Sequence, residues 1–405
     1  MADTMDLDPQ LREFLVKSNM LNTTEDGSGL PIQQLRQSVE GPYKNRKSTV
    51  PVDSIVDNTI PGPDGNQIPI RIYKPADAKP RRQGLPVLVY FHGGCFCMGS
   101  IAAYDDLCRN IGHLSAYIVI SVEYRLAPEH KFPAGHLDCY AATNWAYTNA
   151  ASFGGDAALL AVGGDSAGGC LAAAVCMMAR DMKGPKIALQ VLLYPMMQPT
   201  AHYETKSLEE FGDTLPVLSK RMCEVSYERL VQHPDEQKSE LIDVNHAPTF
   251  KNLPPAYVVV AEYDILRDEG EYFAARLSKN NVPTRAKRYG GAVHGFIHFS
   301  SLAEIRCSVR ALEDVAIAMR QAVKEDKEPW DLRSYLIVAV VCRHRAKAAC
   351  ASICGSQPAC RTIRVWSDQT FAGQECTTIC MLRQQITQRD NHCMSMADRQ
   401  WTVPL

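Results

Sequence analysis

Residues 159–169 read Leu159-Leu160-Ala161-Val162-Gly163-Gly164-Asp165-Ser166-Ala167-Gly168-Gly169, an apolar run that ends in glycines around one serine. The run 158–162 predicts a buried strand, and the small residues of 167–178 predict a helix. Ser166 then falls at a strand-to-helix corner, and residues 164–168 fit the pattern G-x-S-x-G. Small neighbours let such a corner turn sharply, which holds the serine in a strained conformation with its hydroxyl facing out. The first amides of the following helix favour negative charge at the same place.

Two other interpretations of such a stretch are an ordinary turn and a dinucleotide-binding loop. An ordinary glycine-rich turn also fits it, because G-x-S-x-G alone is a weak signal. A dinucleotide fingerprint does not fit, because Asp165 and Ser166 stand where G-x-G-x-x-G requires glycine.

The amino-acid composition is typical of a globular protein. The chain has 405 residues, 46% of them hydrophobic, and a net charge of -2, which favours neither nucleic acid nor an anionic membrane as a partner. Its N-terminus is acidic and lacks the apolar core of a signal peptide, and no apolar run approaches the roughly 20 residues of a membrane-spanning helix. We therefore expect a cytoplasmic location, and free thiols for most of the 15 cysteines.

Alternating apolar and amphipathic segments predict an α/β fold with a mostly parallel sheet covered by helices on both faces. A hairpin is predicted from strands at 52–60 and 67–73, and a helix at 9–17 is followed by loop up to residue 50. The polar segment 196–254 interrupts the alternation and is interpreted as a cap insertion. Between it and residue 327 the α/β pattern resumes, whereas 328–405 is a cysteine-rich tail that we expect to be disordered or atypical.

Three residues at the ends of different predicted strands form a candidate catalytic triad. Ser166, Asp264 and His294 occur in the chain order nucleophile, acid, histidine, and parallel strands bring their carboxyl ends to one edge of the sheet. A serine hydroxyl becomes a useful nucleophile only when an oriented base takes its proton. Glu262 and Asp268 compete for the acid's role, and His298 competes for the base. His294 is preferred because its glycine-rich surroundings predict an exposed, mobile loop.

Amide donors for a developing oxyanion are predicted at Gly93, Gly94 and Ala167. The two glycines follow a buried strand at 85–91, and glycine lets backbone N–H groups turn toward a substrate. Ala167 begins the helix after the serine. A plain turn at 92–94 is the alternative to this loop.

Five motifs together closely resemble the hormone-sensitive-lipase family of α/β-hydrolases over roughly residues 50–325. They are His92-Gly93-Gly94, residues 124–134 (YRLAPEHKFPA), residues 164–169 (GDSAGG), residues 262–270 (EYDILRDEG) and His294-Gly295-Phe296. The resemblance implies an eight-stranded sheet with a catalytic core of 51–195 and 255–327. It also implies a helical cap made from 1–50 and 196–254.

The same resemblance implies a cofactor-free serine carboxylesterase or lipase acting on short-to-medium acyl esters. Ser166 would be the nucleophile, Asp264 the orienting acid and His294 the base. Gly93, Gly94 and Ala167 would hold the oxyanion. The expected partner is a small-molecule ester, no metal is expected, and a homodimer is left open.

One departure from the family pattern is Cys95, which stands where a third glycine is usual. We hypothesise that its side chain narrows the acyl pocket. The tail cysteines have x₃ spacings rather than the C-x₂-C typical of zinc sites, so a metal site there is not favoured.

Two other functions compete with this one. A biosynthetic deacylase or acyltransferase acting on a secondary metabolite would use the same residues. A ligand-binding receptor shares the fold, as the plant gibberellin receptors do, but those receptors lack the catalytic histidine that His294 supplies here.

Overall fold

The computed structural model describes residues 5–323 except 22–26, 45, 77, 79–82 and 213–216, together with the pairs 340–341 and 379–380. The chain divides into two compact units, Met1–Trp330 and Asp331–Leu405. In the second unit only two short strands are described, Val340–Val341 and Ile379–Cys380, and they pair antiparallel. The prediction of a disordered or atypical tail otherwise lies outside the described residues.

An eight-stranded sheet forms the centre of the first unit, in the order β1-β2-β4-β3-β5-β6-β7-β8. The first two strands are antiparallel to their neighbours and the other pairings are parallel, so the predicted sheet is confirmed. The strands are β1 Val52–Pro61, β2 Gln67–Pro75, β3 Leu85–Phe91, β4 Ile118–Val122, β5 Gly155–Asp165, β6 Leu189–Leu193, β7 Ala256–Tyr263 and β8 Thr284–Val293.

Helices cover both faces of this sheet. They are α1 Pro9–Lys17, α2 Ile32–Lys44, α3 Asp105–Ser115, α4 Ala134–Asn149, α5 Ala167–Asp181, α6 Lys206–Phe211, α7 Lys220–Leu230, α8 Arg267–Lys279 and α9 Arg306–Ala322. Successive residues of a strand point to opposite faces, and Val89 and Tyr90 of β3 accordingly belong to two different apolar clusters. The first cluster includes α4, α5 and α8, and the second includes α3 and α9.

Helix α2 corrects the expectation of a loop between residues 17 and 50. Its 13 residues carry Pro42 in the last turn and only one well-buried aliphatic side chain, Leu35. The segment is mostly polar and its last turn holds Gly41 and Pro42, two poor helix formers, so tertiary contacts must supply much of the stability of this helix.

Helices α6 and α7 occupy the segment between β6 and β7 where the sequence predicted a cap insertion. Met222, Cys223 and Tyr227 of α7 are buried in the same apolar cluster as Phe96, which follows β3. The side of α7 that these residues form thus packs directly on the loop after β3. Assignment of this segment and of 1–50 as a cap stays a prediction.

Candidate active site

Ser166 sits at a strained corner between β5 and α5. Its backbone angles are φ 54° and ψ −122°, in a region that non-glycine residues rarely adopt. Its N–H donates to the Leu193 carbonyl at 2.9 Å, and its own carbonyl accepts from Met196 N–H at 3.0 Å. Both bonds come from β6 and the residues after it, so the neighbouring strand holds this conformation in place.

Two glycines let the corner pack against the loop after β3. A Cβ atom on Gly164 would lie 2.4 Å from the Phe91 carbonyl oxygen, and one on Gly168 would lie 2.0 Å from the same atom. The Phe91 carbonyl oxygen is a backbone atom and cannot move aside as a flexible side chain can, so a side chain at either position would clash with it. Glycine at both positions therefore allows the end of β3 to approach the first turn of α5.

The three predicted triad residues meet at the carboxyl ends of β5, β7 and β8. The Nε2 atom of His294 lies 3.0 Å from the Oγ atom of Ser166, and its Nδ1 atom lies 2.8 Å from the Oδ2 atom of Asp264. The other carboxylate oxygen of Asp264 accepts the Leu266 N–H at 2.9 Å. All three side chains are buried. This is a connected hydrogen-bonded chain from carboxylate to hydroxyl.

The competing acids have other partners. Glu262 accepts the Gly291 N–H at 2.8 Å, and Asp268 accepts the Ser207 N–H at 2.8 Å while pairing with Arg267. Both therefore support local backbone structure rather than the histidine.

His298, the competing base, lies between two aromatic rings. It stacks on Tyr43 and on Tyr104 with ring centroids 4.1 Å away in each case, and its Nε2 atom lies 3.2 Å from the Ala103 carbonyl oxygen. Burial lowers the pKa of His298, which favours the neutral ring in this sandwich.

His294 does not lie in the exposed, mobile loop that the sequence predicted, because it is only 7% exposed. Strand β8 runs on through the two glycines, and Val293 still pairs with Tyr263 of β7. The Gly291 carbonyl also accepts the Asp8 N–H at 3.0 Å. These contacts fix the backbone just before His294.

The Gly93 N–H group is already hydrogen-bonded within the protein, which does not fit its predicted role as an oxyanion donor. It donates to the Oδ1 atom of Asp165 at 2.9 Å. The buried Asp165 carboxylate also accepts the hydroxyls of Tyr90 at 2.8 Å and Tyr104 at 2.9 Å. Burial raises the pKa of both phenols, which keeps them protonated as donors. In this structure the Gly93 amide therefore links the loop after β3 to the corner at Asp165 and Ser166, and it is not available to a substrate.

Among the amides near the Ser166 corner, those of Gly94, Cys95 and Ala167 have no hydrogen-bond acceptor among the described residues. The Cys95 amide is a donor that sequence reasoning missed, and the signal for it is its place in the same tight turn as Gly94. Ala167 is the first residue of α5, where N–H groups lack partners within the helix.

The Cys95 side chain is directed toward α7. Its thiol lies next to the Ser226 hydroxyl, which donates to the Met222 carbonyl at 2.6 Å. Burial raises the pKa of the Cys95 thiol, so it is not a reactive thiolate. The next residue, Phe96, contacts Tyr227 of the same helix with ring centroids 5.9 Å apart.

In the part of the chain that the structure describes, no three or more His, Cys, Asp or Glu side chains come together as a metal site would require. None of the described helices combines the length and apolar character needed to span a bilayer.

Comparison with known proteins identifies the family. Residues 88–298 match the family model for the alpha/beta hydrolase fold. The carboxylesterase NlhH of Mycobacterium tuberculosis is 35% identical over 299 residues, which cover 73% of this chain and 90% of that protein. The arylesterase of Saccharolobus solfataricus is 35% identical over 296 residues, covering 72% and 93% respectively.

A solved esterase structure is also similar to this chain. The hyperthermophilic esterase from Pyrobaculum calidifontis is similar with a TM-score of 0.71 and 35% identity, covering 78% of this chain and 98% of that one. The chain therefore belongs to the α/β-hydrolase family, and the predicted resemblance to its esterases and lipases is confirmed.

Proposed function

We propose that this chain is a serine carboxylesterase that hydrolyses short-to-medium acyl esters, with Ser166, His294 and Asp264 as its catalytic triad. The observation that carries the proposal is the pair of contacts made by one imidazole, 3.0 Å to the Ser166 hydroxyl and 2.8 Å to the Asp264 carboxylate. The esterases to which the chain is similar support the same reaction class.

In the acylation step, the Ser166 Oγ atom attacks the ester carbonyl carbon while the Nε2 atom of His294 takes its proton. Asp264, hydrogen-bonded to Nδ1, fixes the tautomer that leaves Nε2 free to accept and stabilises the imidazolium that forms. The tetrahedral intermediate collapses, the C–O bond to the alcohol breaks, and His294 gives its proton to the leaving alkoxide.

The negative oxygen of the intermediate requires hydrogen-bond donors that are already in place. We assign this role to the N–H groups of Gly94, Cys95 and Ala167, which lack acceptors among the described residues. Loss of one such donor typically costs on the order of 10²–10³ in rate. Gly93 is reassigned from donor to a residue that positions the loop.

Deacylation repeats the same chemistry with water. His294 removes a proton from a water molecule, whose oxygen attacks the acyl-enzyme carbonyl, and then returns the proton to the Ser166 oxygen as the acid leaves. An alcohol in place of water would make the enzyme an acyltransferase through the same residues.

A series of p-nitrophenyl esters of increasing acyl length tests this proposal. We expect kcat/KM to be highest for short and medium chains and kcat to fall by on the order of 10⁴-fold or more in Ser166→Ala. Absence of hydrolysis with every ester would overturn it. Product analysis with an added alcohol separates the two acceptors: free acid is expected, and a new ester would indicate acyl transfer.

A further inference from the structure

One face of helix α2 carries Arg36, Glu40 and Tyr43. Residues spaced by three and four positions lie on the same side of a helix, so these side chains form one row. The row faces the segment His92–Ser100, which we call the oxyanion loop. Gln37, which is turned about 100° from Arg36 around the helix axis, is exposed.

Glu40 holds the far end of the oxyanion loop. Its carboxylate accepts the Gly99 N–H at 3.1 Å and the Ser100 hydroxyl at 3.1 Å. The residue is only 3% exposed. A carboxylate buried to this degree loses its hydration, so hydrogen bonds from the loop must replace the lost water contacts.

Arg36 holds the middle of the same loop. Its Nε atom donates to the Cys97 carbonyl at 2.7 Å, and Nη2 donates to the Ala127 carbonyl at 3.0 Å. The guanidinium also pairs with the Glu129 carboxylate at 2.7 Å. A planar group with several donors is suited to fixing separate carbonyls in one arrangement.

These contacts are linked to the candidate donors through one peptide plane. The Gly94 carbonyl accepts the N–H groups of Cys97 at 3.0 Å and Met98 at 2.8 Å. In a trans peptide the N–H of the next residue points opposite to the carbonyl. The orientation of the Cys95 N–H is therefore set by the segment that Arg36 and Glu40 hold.

Helix α2 is connected to the beginning of the oxyanion loop, near Gly93, through a stack of aromatic rings. Tyr43 stacks on His298, and His298 stacks on Tyr104. The Tyr104 hydroxyl donates to Asp165, and the same carboxylate accepts the Gly93 N–H at 2.9 Å. Helix α2 thus contacts the oxyanion loop directly at one end and acts through these rings at the other.

We propose that Glu40 and Arg36 of α2 are positioning residues for ester hydrolysis, because they hold the oxyanion loop with its amide donors turned toward the substrate. This inference rests on the proposed function, since it gives the N-terminal segment a role in stabilising the transition state. Neither side chain touches the substrate; both act through the loop backbone.

The test uses the full chain and four variants: Glu40→Gln, Glu40→Ala, Arg36→Met and the control Gln37→Ala. Glutamine keeps an oxygen that can accept the Gly99 N–H, so it should rescue part of what alanine removes. Arg36→Met removes the hydrogen bond to the Cys97 carbonyl without changing Glu40. It therefore still tests the proposal if a Glu40 variant fails to fold. Gln37→Ala alters an exposed position on the same helix.

Three measurements are made on each variant: kcat and KM for a p-nitrophenyl ester, inhibition by a trifluoromethyl ketone, and amide hydrogen exchange of residues 92–100. The ketone adds to the serine as a tetrahedral oxyanion and so reports transition-state binding. We expect Glu40→Ala and Arg36→Met to lower kcat by roughly 10- to 100-fold at nearly constant KM. Ketone affinity should fall by a similar factor, with Glu40→Gln intermediate and Gln37→Ala unchanged.

Hydrogen exchange separates this inference from the proposed function. We expect the Cys97, Met98 and Gly99 amides to exchange faster in Glu40→Ala. Unchanged exchange would overturn the inference even if the enzyme is an active esterase. Faster exchange with unchanged kcat and ketone affinity would overturn it as well. A wild-type protein that hydrolyses no ester would instead overturn the proposed function, and the positioning role of Glu40 and Arg36 with it.

Discussion

The Nε2 atom of His294 lies 3.0 Å from the hydroxyl oxygen of Ser166, although the two residues are 128 positions apart in the chain. The distance is short because β5 and β8 end at the same edge of one sheet, each followed immediately by one of these side chains. The serine is at a strained backbone corner, and the histidine is buried beside it. This pairing leads to the predictions that follow.

Asp264→Asn should lower kcat by on the order of 10⁴-fold while the protein stays folded, because an amide no longer selects the required tautomer of His294. The Leu266 N–H keeps an acceptor in this variant, so the backbone should remain in place. The matched control is Glu262→Gln, which alters a carboxylate that binds Gly291 rather than the histidine. Steady-state ester hydrolysis checks both, and equal losses in the two variants would contradict the assignment of the acid.

Asp165→Asn should lower the free energy of unfolding by about 2–4 kcal/mol, because three donors converge on the buried carboxylate and the amide nitrogen cannot accept from them. Tyr104→Phe, which removes a single donor, should cost about 1–2 kcal/mol. Urea unfolding measures both values. A change below about 0.5 kcal/mol in Asp165→Asn, the range typical of surface positions, would show that this network is not structural.

Cys95→Gly should increase kcat/KM for bulky or long acyl esters relative to acetate. The residue has φ 55° in the oxyanion loop and its buried side chain lies next to Ser226 of α7, so removal of that side chain frees space between the loop and the helix. Cys97→Ala, two residues away in the same loop, serves as the comparison. Unchanged preference for acyl length and bulk in Cys95→Gly would remove the hypothesis that this residue narrows the pocket.

Stability should fall as the pH is lowered from about 6.5 toward 4, partly because of His136. Burial lowers the pKa of His136 from 6.5 to about 4, and its Nε2 atom lies 3.1 Å from the Leu241 carbonyl oxygen. Between pH 6.5 and about 4, His136 is protonated in the unfolded chain but neutral in the folded chain. The free energy of unfolding therefore decreases as the pH falls through this range. The contribution is roughly 3 kcal/mol when the whole window is crossed.

His136→Gln, which cannot titrate, should flatten this part of the curve. Urea midpoints between pH 4 and 7 provide the measurement. An identical slope in the variant and the wild type would mean that other groups cause the loss of stability.

Much of the sheet, and the meeting of Ser166, Asp264 and His294 at its carboxyl edge, could be predicted because the signals are local. Residues 85–91 form one continuous apolar run, and 9–17 have a clear helical period, so both elements begin and end where expected. The order of Ser166, Asp264 and His294 along the strands was enough to place them at one edge.

Other features depend on contacts that no local pattern shows. Helix α2 has few buried apolar residues, and Arg36 and Glu40 on its polar face bind loop atoms more than 50 positions away. The sequence also cannot tell which amide of two adjacent glycines is already bonded, and here Asp165 accepts the Gly93 N–H. The burial of His294 likewise follows from the pairing of β7 with β8 and not from its glycine-rich neighbours.

Active-site labelling with a fluorophosphonate, followed by mass spectrometry of the digested protein, tests the central claim most directly. A hydroxyl activated by an adjacent histidine should form one covalent phosphonyl adduct per chain, located on Ser166, and Ser166→Ala should form none. An adduct on a different residue, or no adduct in a preparation that hydrolyses esters, would contradict the account.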